Sequence, residues 1–365
     1  LYSCNDKKSI SSSERRTHYA TLSNNVYNNG MLYFESDKDI ISYLDFKTME
    51  STVMCSKPNC NHKNNECIGK SIGDCPIIYD NYIYFFKSSQ QIEEIGNGER
   101  ELKINSKLCR ASIDTSAIED IVEFYDCVPR DYDGWLINDN IVWFTADDMN
   151  PVSDEYGNIT YGNQGGTHFI CSIDIDKKEY KNYGSVYDGD KEYEAASYSS
   201  SAQIKGIYDS KIMIRYEYAK KEPSFENSTL QQGEVFNHRS ILEELMFEFD
   251  IANKELLPVS LVEPAYVDED TYVYTDSGTS YVITNGNNYE FKCDEMLSLL
   301  FINGKLFDYL HGKWFDTVDK TEHSMGEYSD WTVYAYYDEC YIIGKNNKEF
   351  RKLTEQELYS LSDVE

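Results

Sequence analysis

One short pattern recurs seven times along this chain: two mostly apolar residues, Asn or Asp, two variable residues, then a second apolar run. It reads "VYNNGMLYF" from Val26, "IYDNYIYFF" from Ile78, "LINDNIVWF" from Leu136 and "IYDSKIMIR" from Ile207. It returns as "YVDEDTYVY" from Tyr266, "FINGKLFDY" from Phe301 and "YYDECYIIG" from Tyr336. An apolar strand, an Asx-type turn and a second apolar strand make a β-hairpin. A second hairpin often follows, marked by an apolar residue, usually Asp, and a short polar turn. It starts at Tyr43, Ala111, Cys171 and Phe247, with a weaker version from Val282 that carries Thr284 in the Asp position.

Two hairpins per unit make a four-stranded antiparallel sheet, and such sheets repeated around an axis form a β-propeller. Propeller blades recur every ~40–50 residues, and here the copies start 52, 58, 71, 59, 35 and 35 residues apart. The fold expected is therefore all-β: a propeller of four-stranded blades over residues 17–353, seven blades, with six or eight as alternatives. Residues 17–23, "THYATLS", are expected to add a strand to the final blade and close the ring. Residues 354–365 form a tail. A pair of stacked β-sandwiches is the competing architecture.

Strand alternation puts the tight turns at one end of the blades and the long connections at the other. The long ones are residues 88–106, 147–166 and 218–244, the last with a short helix expected at "HRSILEEL", together with the links 55–75 and 187–200. Long loops on a rigid scaffold are where binding resides. The candidates there are Tyr156, Tyr161 and Tyr187 for stacking on a ligand, with His168 and His238 bordering the insertions. Calcium could be held by Asp147, Asp148, Asp154 and Glu155, or by Asp188, Asp190 and Glu192, although neither set reproduces the spaced EF-hand loop.

The link "CSKPNCNHKNNECIGKSIGDC" offers Cys55, Cys60, His62, Cys67 and Cys75. These residues suit a Cys3His or Cys4 zinc set, a disulfide staple or a group of free thiols. The absence of a C-x2-C knuckle and an exported setting favour the staple. The remaining cysteines lie mostly in apolar strand patterns and read as buried small hydrophobes. The chain opens Leu1-Tyr2-Ser3-Cys4 before a Ser-rich stretch. This resembles the end of a bacterial lipoprotein signal with Cys4 lipidated, which makes residues 1–16 a lipobox remnant and flexible tether. The motif C-x-x-P-x-C-x-H-x4-C, here Cys55, Pro58, Cys60, His62 and Cys67, resembles one in exported β-propeller lipoproteins of Gram-positive gut bacteria, where it also follows the first blade. That resemblance bears on fold and on an exported, surface-anchored location, and implies no activity.

With 34 basic and 64 acidic residues the net charge is −30, which repels nucleic acid and anionic lipid. No H-E-x-x-H, Walker or G-x-G-x-x-G motif is present. The function expected is a monomeric cell-surface binding module for an extracellular protein, peptide or glycan. The alternative is an extracellular propeller enzyme acting on polysaccharide or peptide with catalytic carboxylates in the rim.

Overall fold

The chain is described from a computed structural model. It covers most of residues 17–354 and leaves undescribed 1–16, 20–25, 149–151, 154–158, 161–166, 188–199, 221–240, 293–298, 358–365 and a number of shorter turns. The fold is all-β and antiparallel. After β1 (Thr17–Tyr19), the first sheet runs β2 (Val26–Tyr27), β3 (Gly30–Glu35), β4 (Ile40–Asp45) and β5 (Glu50–Val53). A single helical turn, α1 (Ile68–Ser71), lies in the link to the second sheet, which is β6 (Ile77–Tyr79), β7 (Tyr82–Gly96), β8 (Glu99–Ser112) and β9 (Ile118–Phe124). The third sheet holds β10 (Val128–Pro129), β11 (Trp135–Asn138), β12 (Ile141–Asp147), β15 (His168–Asp174) and β16 (Glu179–Ser185), and a small ribbon, β13 (Val152–Ser153) with β14 (Ile159–Thr160), interrupts it. The fourth is β17 (Ser200–Tyr208), β18 (Lys211–Lys220), β19 (Ile241–Asp250) and β20 (Glu255–Val259); the fifth is β21 (Pro264–Asp268), β22 (Thr271–Asp276), β23 (Thr279–Thr284) and β24 (Asn287–Lys292). The sixth is β25 (Leu299–Ile302), β26 (Lys305–Asp308), β27 (Lys313–Asp316) and β28 (Glu322–Ser324), and the seventh β29 (Thr332–Tyr336), β30 (Cys340–Lys345) and β31 (Glu349–Thr354).

All seven copies of the recurring pattern fall on the turn that joins the first two strands of a sheet. The chemistry of that turn is visible at Asp80-Asn81, Asp139-Asn140 and Asp209-Ser210, where both central residues have φ between 45° and 65°. Two successive left-handed residues are what a type I′ hairpin turn demands, and Asn and Asp tolerate that conformation best. The second hairpin is held differently, by one aspartate at its mouth. Asp45 Oδ1 accepts from the N–H groups of Lys47 (2.8 Å) and Thr48 (2.9 Å), and Asp250 Oδ1 from Ala252 (2.8 Å) and Asn253 (2.9 Å). Asp174 accepts from Lys177 N–H at 3.0 Å, and Asp114 from Ser116 N–H at 3.0 Å. All four carboxyls are held below the usual aspartate range, Asp45 and Asp250 first by these N–H groups, Asp174 first by the Lys177 ammonium and then by its N–H, and Asp114 to about 2 by the Ser112 hydroxyl and the Ser116 N–H and hydroxyl. A depressed folded-state pKa stabilises above the unfolded value of ~3.9 and is lost as pH falls through the folded one. Stability is therefore expected to fall between about pH 4 and pH 2, and the Asp114→Ala variant to have a shallower acid limb, read by circular dichroism against pH. Parallel limbs for wild type and variant would refute the assignment.

The first five sheets pack on one another in chain order, and strand alternation divides the residues of an inner sheet between two neighbours. Ile83 and Phe85 of β7 join Leu32 and Ile41 of the first sheet, while Tyr84 and Phe86 join Trp135, Val142 and Phe144 of the third. Leu136 and Trp143 of the third sheet turn the other way, against Ile204, Ile212, Ile214 and Phe249 of the fourth. Met213 and Met246 of the fourth then meet Tyr272 of the fifth. The first strands lie side by side in the same order: β6 by β11, β11 by β17, β17 by β21, β21 by β25 and β25 by β29.

Three expectations need correcting. Residues 17–19 pair with β11, Thr17 opposite Asn138 and Tyr19 opposite Leu136, so this strand belongs to the third sheet and not to the last. Residues 88–106 are not a loop: β7 and β8 continue as a two-stranded ribbon to Gly96 and Glu99, because their cross-strand backbone bonds persist beyond the sheet. No helix forms at residues 241–245, where "ILEEL" opens β19 and pairs with β18, Ile241 opposite Lys220.

Candidate functional site

The link between β5 and β6 builds a cluster from its own turns. Lys57-Pro58-Asn59-Cys60 closes with Cys60 N–H donating to the Lys57 carbonyl at 3.3 Å, and Asn59 has φ 60°. Pro followed by a left-handed Asn is the signature of a type II turn, which is the reason for Pro58 in the motif. His62 is also left-handed, at φ 57°. Cys67 then opens α1, where Lys70 and Ser71 N–H donate to its carbonyl at 3.2 and 3.0 Å. The result is that Sγ of Cys55, Cys60 and Cys67 and a ring nitrogen of His62 all lie within 4.8 Å of one another. His62 Nδ1 stands 3.4 Å from Cys67 Sγ.

The three cysteines of this group are free thiols, so the disulfide staple expected of the stretch is not formed among them. Cys75 lies apart from them: it packs against the core between the second and third sheets, and its carbonyl accepts from Trp135 Nε1 at 2.9 Å. Burial raises the Cys55 thiol, but N–H groups of Lys57 and Ile68 and the thiols of Cys60 and Cys67 outweigh it and leave Cys55 below the usual thiol range. Cys67 is pushed up, mainly by burial, even though it accepts from the N–H groups of Lys70 and Gly69.

A second group lies where β12 and β15 meet. His168 stands opposite Asp147 in the ladder, and its Nδ1 is 2.6 Å from Asp147 Oδ1. Arg130, just after β10, reaches both carboxylate oxygens with Nη1 at 3.2 and 3.1 Å. Arg130, Asp147 and His168 are 6, 3 and 1% exposed. With the carboxylate accepting, Nδ1 carries the proton and donates. Asp147 is thus committed to Arg130 and His168. Of its calcium partners, Asp148 follows it with its N–H on the Thr167 carbonyl at 2.8 Å, and Asp154 and Glu155 lie outside the described residues, as do Asp188, Asp190 and Glu192 of the alternative calcium set.

His168 and Tyr187, singled out separately by sequence, are joined through Tyr216. The His168 ring meets Tyr216 edge-on at 5.6 Å, and Tyr187 packs on Tyr216 at 5.2 Å and on Phe247 at 6.0 Å. Tyr216 and Phe247 are buried, whereas Tyr187 is 37% exposed. It is therefore an aromatic face open to solvent on a rigid backing. Tyr156, Tyr161 and His238 lie outside the described residues. Sequence reasoning missed Arg130 and Tyr216; a lone arginine in the acidic "VPRDYDG" connection was the available signal for the first.

No protein-family model and no curated protein matches the chain. Among solved structures it is similar to a variant of Synechocystis apocarotenoid oxygenase, at a TM-score of 0.34 and 9% identity over 94% of this chain and 70% of that one. A glycosyl hydrolase from Bacteroides ovatus gives 0.28 and 12% over 90% of this chain and 95% of that one. The lignostilbene dioxygenase of Pseudomonas brassicacearum gives 0.29 and 8%, over 91% and 69%. At these values the likeness carries no argument about activity. Among the described residues no helix is long and apolar enough to cross a membrane.

Proposed function

We propose that the chain is a seven-bladed β-propeller that works as an extracellular binding module, taking up a protein, peptide or glycan at the end of the blades that carries the long connections. Sheets that pack on one another in chain order, with their first strands adjacent, support the propeller. Antiparallel alternation brings the β5–β6 link, the β7–β8 ribbon tip, and the connections after β12, β16 and β18 to that same end. The Leu1–Cys4 box and the cysteine motif support an exported, lipid-anchored location. For its cation, the Cys3His set favours zinc over calcium, since thiolates suit thiophilic metals and calcium takes oxygen ligands.

The observation that carries the binding reading is Tyr187, a 37% exposed ring backed by buried Tyr216 and Phe247 at this end. Aromatic faces of this kind stack on sugar rings and on proline or aromatic side chains of peptides. The enzyme alternative has no observation in its favour among the described residues. A glycan and peptide array probed with the soluble protein is the test. Binding by the wild type that Tyr187→Ala weakens at least ~10-fold, about 1.4 kcal/mol, is the expected result. Capture unchanged by Tyr187→Ala, or no capture on either array, would overturn it.

A further inference from the structure

Resting on the zinc reading above, we infer that Cys55, Cys60, His62 and Cys67 form a closed, structural zinc site that pins the β5–β6 link into the seam between the first two sheets. In a tetrahedral site with metal–ligand bonds of about 2.0–2.3 Å, neighbouring ligand atoms stand ~3.4–3.8 Å apart. The 3.4 Å between His62 Nδ1 and Cys67 Sγ, and the 4.8 Å limit on the whole set, need only a small contraction to reach this. The geometry selects Nδ1 of His62 as the donor.

Backbone N–H groups of Lys57 and Ile68 point at Cys55 Sγ, and those of Gly69 and Lys70 at Cys67 Sγ. Uptake of one Zn2+ by three thiols and a neutral imidazole releases three protons to solvent and leaves a centre of net charge −1. Residues 55–70 carry Lys57, Lys63 and Lys70 against Glu66 alone, a basic island in a chain of net charge −30. The protein supplies all four ligands, which leaves no open position for a substrate; such sites hold structure.

What the site would hold is equally specific. Met54, immediately before Cys55, donates its N–H to the Ile41 carbonyl at 3.0 Å. Ile68 and Ile72, immediately after Cys67, are buried with Leu32, Ile41, Ile78, Ile83 and Phe85, from both sheets. Ser56 Oγ donates to the Thr115 carbonyl of the second sheet at 2.6 Å. The four ligands therefore cross-link the two ends of a wedge whose apolar residues fill the seam.

The test uses the full chain, demetallated by chelator under reducing conditions, with Co2+ as a spectroscopic probe and Zn2+ as competitor. The expected result is one equivalent of Co2+ per chain with intense tetrahedral thiolate bands, displaced by Zn2+, and an affinity loss for Cys60→Ser exceeding the ~10–100-fold of an outer-shell partner. His62→Cys should retain uptake. Amide exchange then reads the role: Zn2+ should protect residues 54–56 and 67–72 most strongly. Absence of uptake by the wild-type chain overturns the zinc reading itself. Stoichiometric uptake without added protection of those amides overturns the pinning role and leaves the zinc reading standing.

Discussion

Replacing Asp147 by Ala is expected to lower the stability of the fold by about 3–5 kcal/mol, the cost of breaking a buried ion pair by removing one member. Arg130 is 6% exposed and donates its Nη1 to both oxygens of Asp147, so the variant removes the carboxylate that accepts from this guanidinium and from Nδ1–H of His168. Asp147→Asn keeps the shape and one acceptor but removes the charge, and should fall between wild type and Ala. The measurement is urea unfolding followed by circular dichroism at neutral pH. A loss below ~1 kcal/mol, the range of an exposed ion pair, would mean that water reaches Arg130 and that the group is not sealed. Loss of all three groups together, with replacement by apolar residues of similar volume, should be far milder, because buried ion pairs are costly to desolvate in the first place.

Trp135→Ala is the second large effect, also about 3–5 kcal/mol, from the cavity left by a fully buried ring. Trp135 packs edge-on against Phe86 at 5.0 Å and lies in the core between the second and third sheets. Its Nε1 also donates to the Cys75 carbonyl, fastening the far end of the β5–β6 link. Trp135→Phe keeps most of the packing and loses that bond, so its cost should be about 1–2 kcal/mol. Equal losses for the two variants in urea unfolding would mean that the indole N–H, and not the ring volume, dominates.

The sequence made the hairpins legible because their turns require rare backbone angles that only a few residues accept. Asp80-Asn81 and Asp139-Asn140 announce type I′ turns, and Asp45, Asp174 and Asp250 announce the second hairpins by binding the N–H groups two and three residues on. The second hairpin of the sixth sheet, β27–β28, escaped notice although Asp316 stands at its mouth. What local pattern could not decide was competition with distant partners. "ILEEL" has helical spacing, yet β18 offers it a complete ladder of backbone bonds, and tertiary pairing overrides propensity. The polar run 88–106 looked like a loop because a two-stranded ribbon needs no buried face to alternate toward. Four cysteine and histidine ligands could be picked out by proximity in the chain; that Cys75 leaves them, and that Arg130 finds Asp147, depends on how sheets meet.

The short strand β1 has a mechanical consequence. It hydrogen-bonds to β11 of the third sheet through three facing residue pairs among the described residues. Tension applied at the amino terminus would therefore load the middle of the molecule before it reached the first sheet, and would peel β1 away at small force while the stacked sheets stayed intact.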